Sequence, residues 1–274
     1  MKVLLVGGGG REHALAWRIL KSPLVDKLVV THDNPGFPPD SITIEGDVVA
    51  GAEANGVGLA VVGPEAPLAD GLADRLRAAG ILVFGPSQAA AQLETSKRFA
   101  KAFMDQHGIP TGTWSSHTRL ESALDAIHGP CVVKADGLAA GKGVIVADNA
   151  EEARAAVRSM FDGAFGSAGH RVLIEERLEG PEVSFLALCD GERAVPLLPC
   201  RDHKRRFDLD QGPNTGGMGA ICPPSDVSED LMNEVLSTIL QPTVDGMAAD
   251  GHPFQGVLYA GVMLTQSGPK VLEF

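Results

Sequence analysis

Two rhythms of apolar and polar positions divide this 274-residue chain. Up to residue 94, short continuous apolar runs alternate with stretches whose apolar residues recur every three or four positions. "KVLLVG", "KLVVTH", "SITIE", "LAVVGP" and "ILVFGP" read as strands. "REHALAWRIL", with Leu15, Ala16, Ile19 and Leu20 on one face, reads as a helix, as do "VVAGAEANG" and "PLADGLADRLRAAG". Strands that are apolar throughout and separated by helices predict a parallel sheet covered on both faces.

A helix over "SQAAAQLETSKRFAKAFMDQHG" follows, stopped by Gly108 and Pro110. Beyond it the rhythm changes. "PCVVKAD" and "KGVIVAD" are close enough to pair as an antiparallel hairpin across a glycine loop. The helix "AEEARAAVRSM" is followed by strands "RVLIEERL", "EVSFLALCD" and "AVPLLPC". A long polar, glycine-rich loop is expected over 201–225, then a helix over 230–248, and two strands around a turn in "GVLYAGVMLTQSGPKVLEF".

Composition narrows the partners. With 44% hydrophobic residues there is enough apolar material for substantial cores, and with 5% aromatics those cores are aliphatic. A net charge of −12 argues against nucleic acid or an anionic membrane as partner. Cys131, Cys189, Cys200 and Cys222 show no CxxC spacing and read as reduced thiols. No apolar run approaches the ~18 residues of a membrane helix. The expectation is a soluble cytoplasmic protein.

Several stretches are candidates for chemistry. "VGGGGREHA" follows a strand and opens a helix, the setting of a dinucleotide turn, but the third glycine position falls on Glu12. A tight turn without ligand and a phosphate at the helix N-terminus fit it equally well, and an NAD site fits least. "VVKADGLAAGKGVIVA" places Lys134 on a strand before a loop whose glycines permit close backbone approach to phosphates. It is not a P-loop: only three residues separate Gly137 from Gly141, and Gly143 follows Lys142. "LIEERLEGPEVS" gathers Glu175, Glu176, Glu179 and Glu182 about a strand end. In an acidic chain, the basic cluster Arg201, His203, Lys204, Arg205 and Arg206, leading into "GPNTGGMG", points to an anionic ligand. Glu273, at a strand end, is a carboxylate of the kind that holds Mg²⁺.

Taken together, "GGGGREHALAW", "GPEAPLADGLAD", "AAQLETSKRFAKAFM", "VVKADGLAAGKGVIVA", "GPNTGGMGA" and "YAGVML…PKVLEF" resemble the phosphoribosylamine–glycine ligases, a family of the ATP-grasp superfamily. The resemblance runs from residue 1 to residue 274. It implies an α/β protein with an ATP-grasp fold: an N-terminal doubly wound parallel-sheet domain over 1–94, a central ATP-grasp domain over 95–113 and 187–274, and a small α+β flap domain over 114–186. It also implies a C-terminal domain, absent because the chain stops at Phe274, so the expectation is a truncated enzyme with an incomplete glycine and metal site. The turn "THDNPGFP" departs from the family's usual Pro-Gly-Asn.

The resemblance further implies ATP-dependent ligation of glycine to 5-phosphoribosylamine through a glycyl phosphate, with Mg²⁺ or Mn²⁺ as metal. By family position, Lys97 and Lys134 neutralise ATP phosphates, and Gly137, Gly141, Lys142 and Gly143 cover them. Glu175, Glu176, Arg177 and Leu178 bind adenine, and Glu182 binds ribose. Arg205 and Asn214 lie at the reacting end. Gly8, Gly9, Gly10 and Arg11, with Asn214, Thr215, Gly216, Gly217 and Met218, bind the ribosyl phosphate, and Glu273 holds the metal. The rivals are a related ATP-grasp ligase or carboxylase, which should lack "GPNTGGMG", and an NAD-linked oxidoreductase, which leaves every loop but the first unexplained.

Overall fold

The computed structural model describes residues 1–137, 143–209 and 211–274. They form two compact units, Met1–Ala91 with His252–Val257, and Gln92–Gly251 with Leu258–Phe274.

The first unit is built on strands β1 (Lys2–Val6), β2 (Lys27–Val30), β3 (Ile42–Thr43), β4 (Val57–Val62) and β5 (Leu82–Phe84), in the order β3-β2-β1-β4-β5. Every neighbouring pair is parallel. Successive side chains of a strand point to opposite faces, and both faces of β1 are covered. Leu4 and Val6 pack with Leu68, Leu72 and Leu76, while Leu5 packs with Ala16, Leu28 and Phe37. Of these, Ala16 comes from helix α1 (Gly10–Ile19), Leu68 from α3 (Glu65–Ala69), and Leu72 and Leu76 from α4 (Leu72–Ala78), while α2 (Val48–Asn55) adds Ala52 to the first cluster. The single helix expected over 67–80 is two, because Gly71 adopts a left-handed conformation (φ 75°, ψ 22°) between α3 and α4. A left-handed residue ends one helix where glycine removes the Cβ penalty.

In the second unit, α5 (Gln92–Thr95) and α6 (Lys97–His107) replace the one long helix expected over 87–108. Ser96 interrupts it: its hydroxyl accepts the Phe99 N–H at 3.1 Å and so caps a new helix. An antiparallel sheet of β6 (Trp114–His117), β7 (Cys131–Ala135), β8 (Val144–Ala147) and β9 (Val172–Glu176) runs in the order β6-β9-β7-β8. The expected hairpin is β7–β8, in register from Cys131↔Ala147 to Lys134↔Val144. One face of this sheet packs Cys131, Val133 and Ile174 against α7 (Leu120–Asp125) and α8 (Ala150–Ser159). The alternation places Lys134 and Glu175 on the other face.

A second sheet, in the order β11-β10-β16-β17, contains β10 (Glu182–Asp190), β11 (Ala194–Pro196), β16 (Gln255–Thr265) and β17 (Gly268–Glu273). The stretch 201–225, expected as a loop, carries two short ribbons. β12 (Arg201–Asp202) pairs with β15 (Ala220–Ile221), and between them β13 (Arg205–Phe207) pairs with β14 (Gln211–Asn214). Helices α9 (Glu229–Val235) and α10 (Gln241–Ala249) are joined without a break by a π-helical turn at Leu236–Leu240 and bury Val235, Ile239, Leu240, Val244 and Met247.

Candidate functional site

Two buried lysines converge on one carboxylate in the second unit, with a third lysine beside them. Lys97 and Lys101 lie one turn apart on α6, so they share a helix face. Lys134 is on β7 and Glu175 on β9, adjacent strands of one sheet. Glu175 Oε2 takes both the Lys101 ammonium at 2.7 Å and the Lys134 ammonium at 3.0 Å. Glu175, Lys101 and Lys134 are all buried. Because both lysines use the same oxygen, Glu175 Oε1 is buried with no hydrogen-bond partner among the described residues.

The backbone holds these ammonium groups in place. Lys134 Nζ donates to Leu272 O at 2.9 Å, Lys101 Nζ to Thr111 Oγ1 at 2.8 Å, and Thr111 Oγ1 in turn to Val271 O at 2.7 Å. Lys97 Nζ donates to Gly137 O at 3.0 Å. An ammonium has three protons, so Lys134 retains one and Lys97 two beyond these bonds. Burial pushes the Lys97 pKa down, and the Glu273 carboxylate opposes this more than any other neighbour. Lys101 is lowered for the same reason, burial, against the attraction of Glu175. A cavity of about 30 Å³, lined by Lys97, Lys101, Glu175 and Glu273 among others, adjoins the cluster.

A second polar group lies at the start of β10. Lys204 pairs with Glu182 at 3.2 Å and more distantly with Asp202 at 4.0 Å. Although burial alone would lower it, the Lys204 pKa is raised by Glu182, with Tyr259 and Glu273 adding to the effect. Glu273 thus acts electrostatically on both lysine groups. Arg205 and Asn214 are opposite one another across the β13–β14 ribbon, and the Arg205 guanidinium donates to Gly212 O at 2.7 Å. Thr215 ties the ribbon down through Lys204 O, using its N–H at 2.6 Å and its hydroxyl at 2.8 Å. Gly216, Gly217 and Met218 follow it, exposed.

The remaining adenine candidates flank the end of β9. Glu176 Oε2 accepts the Thr113 N–H at 3.0 Å, and Arg177 forms an ion pair with Asp148. Past Leu178, Gly180 (φ 147°) passes so close to β16 that a Cβ would stand 2.1 Å from Leu264 O, so only glycine fits this turn. Gly137 and Gly143 frame the glycine loop, with Gly143 O accepting the Ala135 N–H at 2.8 Å. Gly141 and Lys142 lie outside the described residues.

The N-terminal turn, in the first unit, is satisfied by its own side chain. Glu12 is buried, accepts the Gly9 N–H at 2.8 Å, and pairs with Arg11 at 2.6 Å. A Cβ on Gly63 would stand 2.1 Å from Glu12 Oε1, and one on Gly7 would stand 2.9 Å from its Cδ. These glycines therefore make room for a glutamate. The unusual 31–38 turn braces this turn: Asn34 Nδ2 donates to Gly8 O at 2.8 Å. Gly8, Gly9, Gly10 and Arg11 are together here, in a different unit from the lysine cluster.

Sequence reasoning did not single out Lys101, Thr111 or Asp136. The i, i+4 spacing of Lys97 and Lys101 carried the signal for the first. Asp136 accepts Ser96 Oγ and the Arg98 N–H, holding the start of α6 to the end of β7. Only the fold brings residues forty positions apart together in this way.

Comparison with known proteins gives a consistent result. Residues 1–94 match the phosphoribosylglycinamide synthetase N domain, and residues 95–274 match the ATP-grasp (A) domain of the same synthetase. The phosphoribosylamine–glycine ligase of Agrobacterium fabrum is 50% identical, with all of this chain matched to 67% of that protein. The human trifunctional purine biosynthetic protein adenosine-3 is also 50% identical, with 28% of it covered. The crystal structure of phosphoribosylamine–glycine ligase from Thermotoga maritima superposes over the whole chain and 68% of its own length, with a TM-score of 0.87 at 31% identity. D-alanyl-alanine synthetase A from Vibrio cholerae shares the fold at a TM-score of 0.72 and 16% identity. The chain thus spans about two thirds of the ligases it matches. Among the described residues, no helix is long and apolar enough to cross a membrane.

Proposed function

Since the chain belongs to the phosphoribosylamine–glycine ligase family of ATP-grasp enzymes, we propose that its buried lysine cluster is the triphosphate site for ATP-dependent ligation of glycine to 5-phosphoribosylamine. The observation that carries this reading is the pair of ammonium groups, Lys101 and Lys134, on one oxygen of Glu175, with Lys97 beside them. Two like charges at ~4 Å repel by about 4 kcal/mol at an effective dielectric of ~20. A glycine carboxylate brought to the γ-phosphate therefore needs fixed cations rather than an acid or a base.

In this reading Lys97 and Lys134 direct their spare protons at phosphate oxygens. Gly137 to Gly143, with Gly141 and Lys142 among them, close over the phosphates. Glu175 Oε1, without a partner among the described residues, accepts a hydrogen bond from the exocyclic amine of adenine, whose ring edge pairs with the backbone between Glu175 and Leu178. Glu176 and Arg177 fix that segment through Thr113 and Asp148. Glu182, held by Lys204, accepts ribose hydroxyls. The glycine carboxylate attacks the γ-phosphorus and ADP leaves. The amine of the ribosyl phosphate then attacks the acyl carbon, phosphate leaves, and glycinamide ribonucleotide forms. Arg205 and Asn214 steady the charge at that step. Thr215 to Met218 take the ribosyl phosphate.

The family implies Mg²⁺ or Mn²⁺ as well. No three His, Cys, Asp or Glu side chains form a metal group among the described residues. Mg²⁺ at such sites takes one or two carboxylates with the substrate phosphates and water, and Glu273, beside Lys97, fits that donor set. The ion would supply charge neutralisation along the triphosphate. The proposed enzyme is monomeric and takes small molecules alone.

Glycine labelled with ¹⁸O in its carboxylate tests this reading. With ATP and phosphoribosylamine, the released phosphate should carry one labelled oxygen. Unlabelled phosphate accompanying the amide product would contradict a glycyl phosphate.

A further inference from the structure

Cys200 and Cys222 flank the substrate-loop ribbons. In the β12–β15 ladder Arg201 pairs with Ile221 and Asp202 with Ala220. Continuing the register by one residue sets Cys200 opposite Cys222. Residues opposed in an antiparallel ladder have Cα atoms ~4.5–5.5 Å apart, inside the ~4.4–6.8 Å that a disulfide spans. The thiols are already turned toward one another. Both reach the same acceptor, Leu198 O, with Cys200 Sγ at 3.7 Å and Cys222 Sγ at 3.9 Å, and the Cys222 thiol is near enough to raise the Cys200 pKa.

The surroundings give the two sulfurs different tasks. Cys222 is exposed and Cys200 is partly covered. Cys200 is also fixed from its other side, because it exchanges both backbone hydrogen bonds with Ser184 of β10, at 2.8 and 2.9 Å. Burial, with the neighbouring thiol, pushes the Cys200 pKa up to about 11, so the accessible Cys222 is the sulfur that meets an oxidant. The other two cysteines, Cys131 and Cys189, are buried, and burial raises both their pKa values.

We propose that Cys200 and Cys222 form an oxidation site: a dithiol that closes to a disulfide across the base of the 201–221 loop when it meets a small-molecule disulfide such as oxidised glutathione. The Cys222 thiolate attacks one sulfur of the oxidant, forming a mixed disulfide and expelling one thiolate. Cys200 gives up its proton and attacks the Cys222 sulfur, expelling the second. The protein loses two electrons and two protons, and the oxidant is reduced to two thiols. The bond joins the two ends of the segment carrying Arg205, Asn214 and Gly216–Gly219, and anchors it to β10. This chemistry does not depend on which substrate that segment binds.

The test uses the folded chain, equilibrated with oxidised and reduced glutathione over a range of ratios and then quenched with acid. Each cysteine falls in a different tryptic peptide, with Cys200 in 194–201 and Cys222 in 207–270. The expected result is a loss of two thiols per chain, a mass lower by about 2 Da, and one crosslinked species joining those two peptides, while Cys131 and Cys189 stay free. The crosslink should shrink at least tenfold when the same mixture is applied in denaturant, since the fold supplies the proximity. A stable glutathione adduct on Cys222 with Cys200 still a free thiol would overturn the proposal. Pairing of either residue with Cys131 or Cys189 in the folded chain would also overturn it, as would retention of all four thiols.

Discussion

The glycine turn at the N-terminus and the lysine cluster of the second unit both looked, in the sequence, like places for an anion. They differ in what is left unsatisfied. At the turn, Glu12 supplies the anion itself: its carboxylate lies at the start of α1, accepts the Gly9 N–H and pairs with Arg11, in space that Gly7 and Gly63 leave open. At the cluster, two lysines share one oxygen of Glu175, its other oxygen has no partner among the described residues, and Lys97 adds a further positive charge. A glycine-rich turn is thus weak evidence for a ligand, because glycine also makes room for side chains. A buried charge group with spare donors and a bare acceptor is stronger, since leaving such groups unpaired is costly.

Removing the shared carboxylate should have the largest effect. Glu175→Ala leaves the Lys101 and Lys134 ammoniums buried against each other, and breaking a buried pair from one side costs about 3–5 kcal/mol. Denaturant unfolding should show that loss, and adding Lys101→Met should recover part of it. A loss below ~1 kcal/mol would mean that the cluster is solvated and that the contrast with the turn does not hold.

Next in size is Lys134→Met, which removes a cation from the proposed phosphate site. ATP affinity should fall about 10–100-fold, corresponding to ~1.4–2.8 kcal/mol, as read by calorimetric titration. An unchanged affinity would shift the phosphate role to Lys97 alone.

Glu12→Gln addresses the other side of the comparison and should cost about 2 kcal/mol, the size of a hydrogen bond to a charged group. Burial by itself raises the Glu12 pKa, but the bonds from Arg11 and the Gly9 N–H outweigh it and hold the group below its ordinary 4.5. The unfolded chain therefore takes up this proton at a higher pH than the folded one. The stabilisation is complete above pH ~4.5 and is lost as pH falls through the folded value. The variant should show a flatter decline in stability than the parent between pH 5 and 3, and parallel curves would contradict this.

The smallest stability effect belongs to Arg205→Ala, because the residue is exposed on the β13–β14 ribbon. Its unfolding free energy should stay within about 0.5 kcal/mol of the parent. Amide formation should fall by at least tenfold if the guanidinium acts at the reacting end.

What the sequence disclosed follows from how local each signal is. The parallel sheet was legible because β1 and β4 are continuous apolar runs between helices, and the β7–β8 hairpin because a short glycine loop joins two such runs. The breaks at Gly71 and Ser96 were obscured, since helical periodicity continues through both while a left-handed glycine and a serine cap override it. Strand β6, "WSSH", is polar and half-buried along its length and gave no alternation to read. Lys97 and Lys134 carried motif signals, but the sharing of Glu175 by Lys101 and Lys134 joins α6, β7 and β9 and exists only once the sheet has formed.

The central claim is that the lysine cluster is a triphosphate site and the N-terminal turn is not a dinucleotide site. Its most direct test is a calorimetric titration of this chain with ATP and Mg²⁺, with NADH, and with ATP again after Lys97→Met. ATP should bind and NADH should not, and the variant, still folded by circular dichroism, should bind ATP at least tenfold more weakly. Binding of NADH in preference to ATP, or ATP binding indifferent to Lys97, would contradict the assignment.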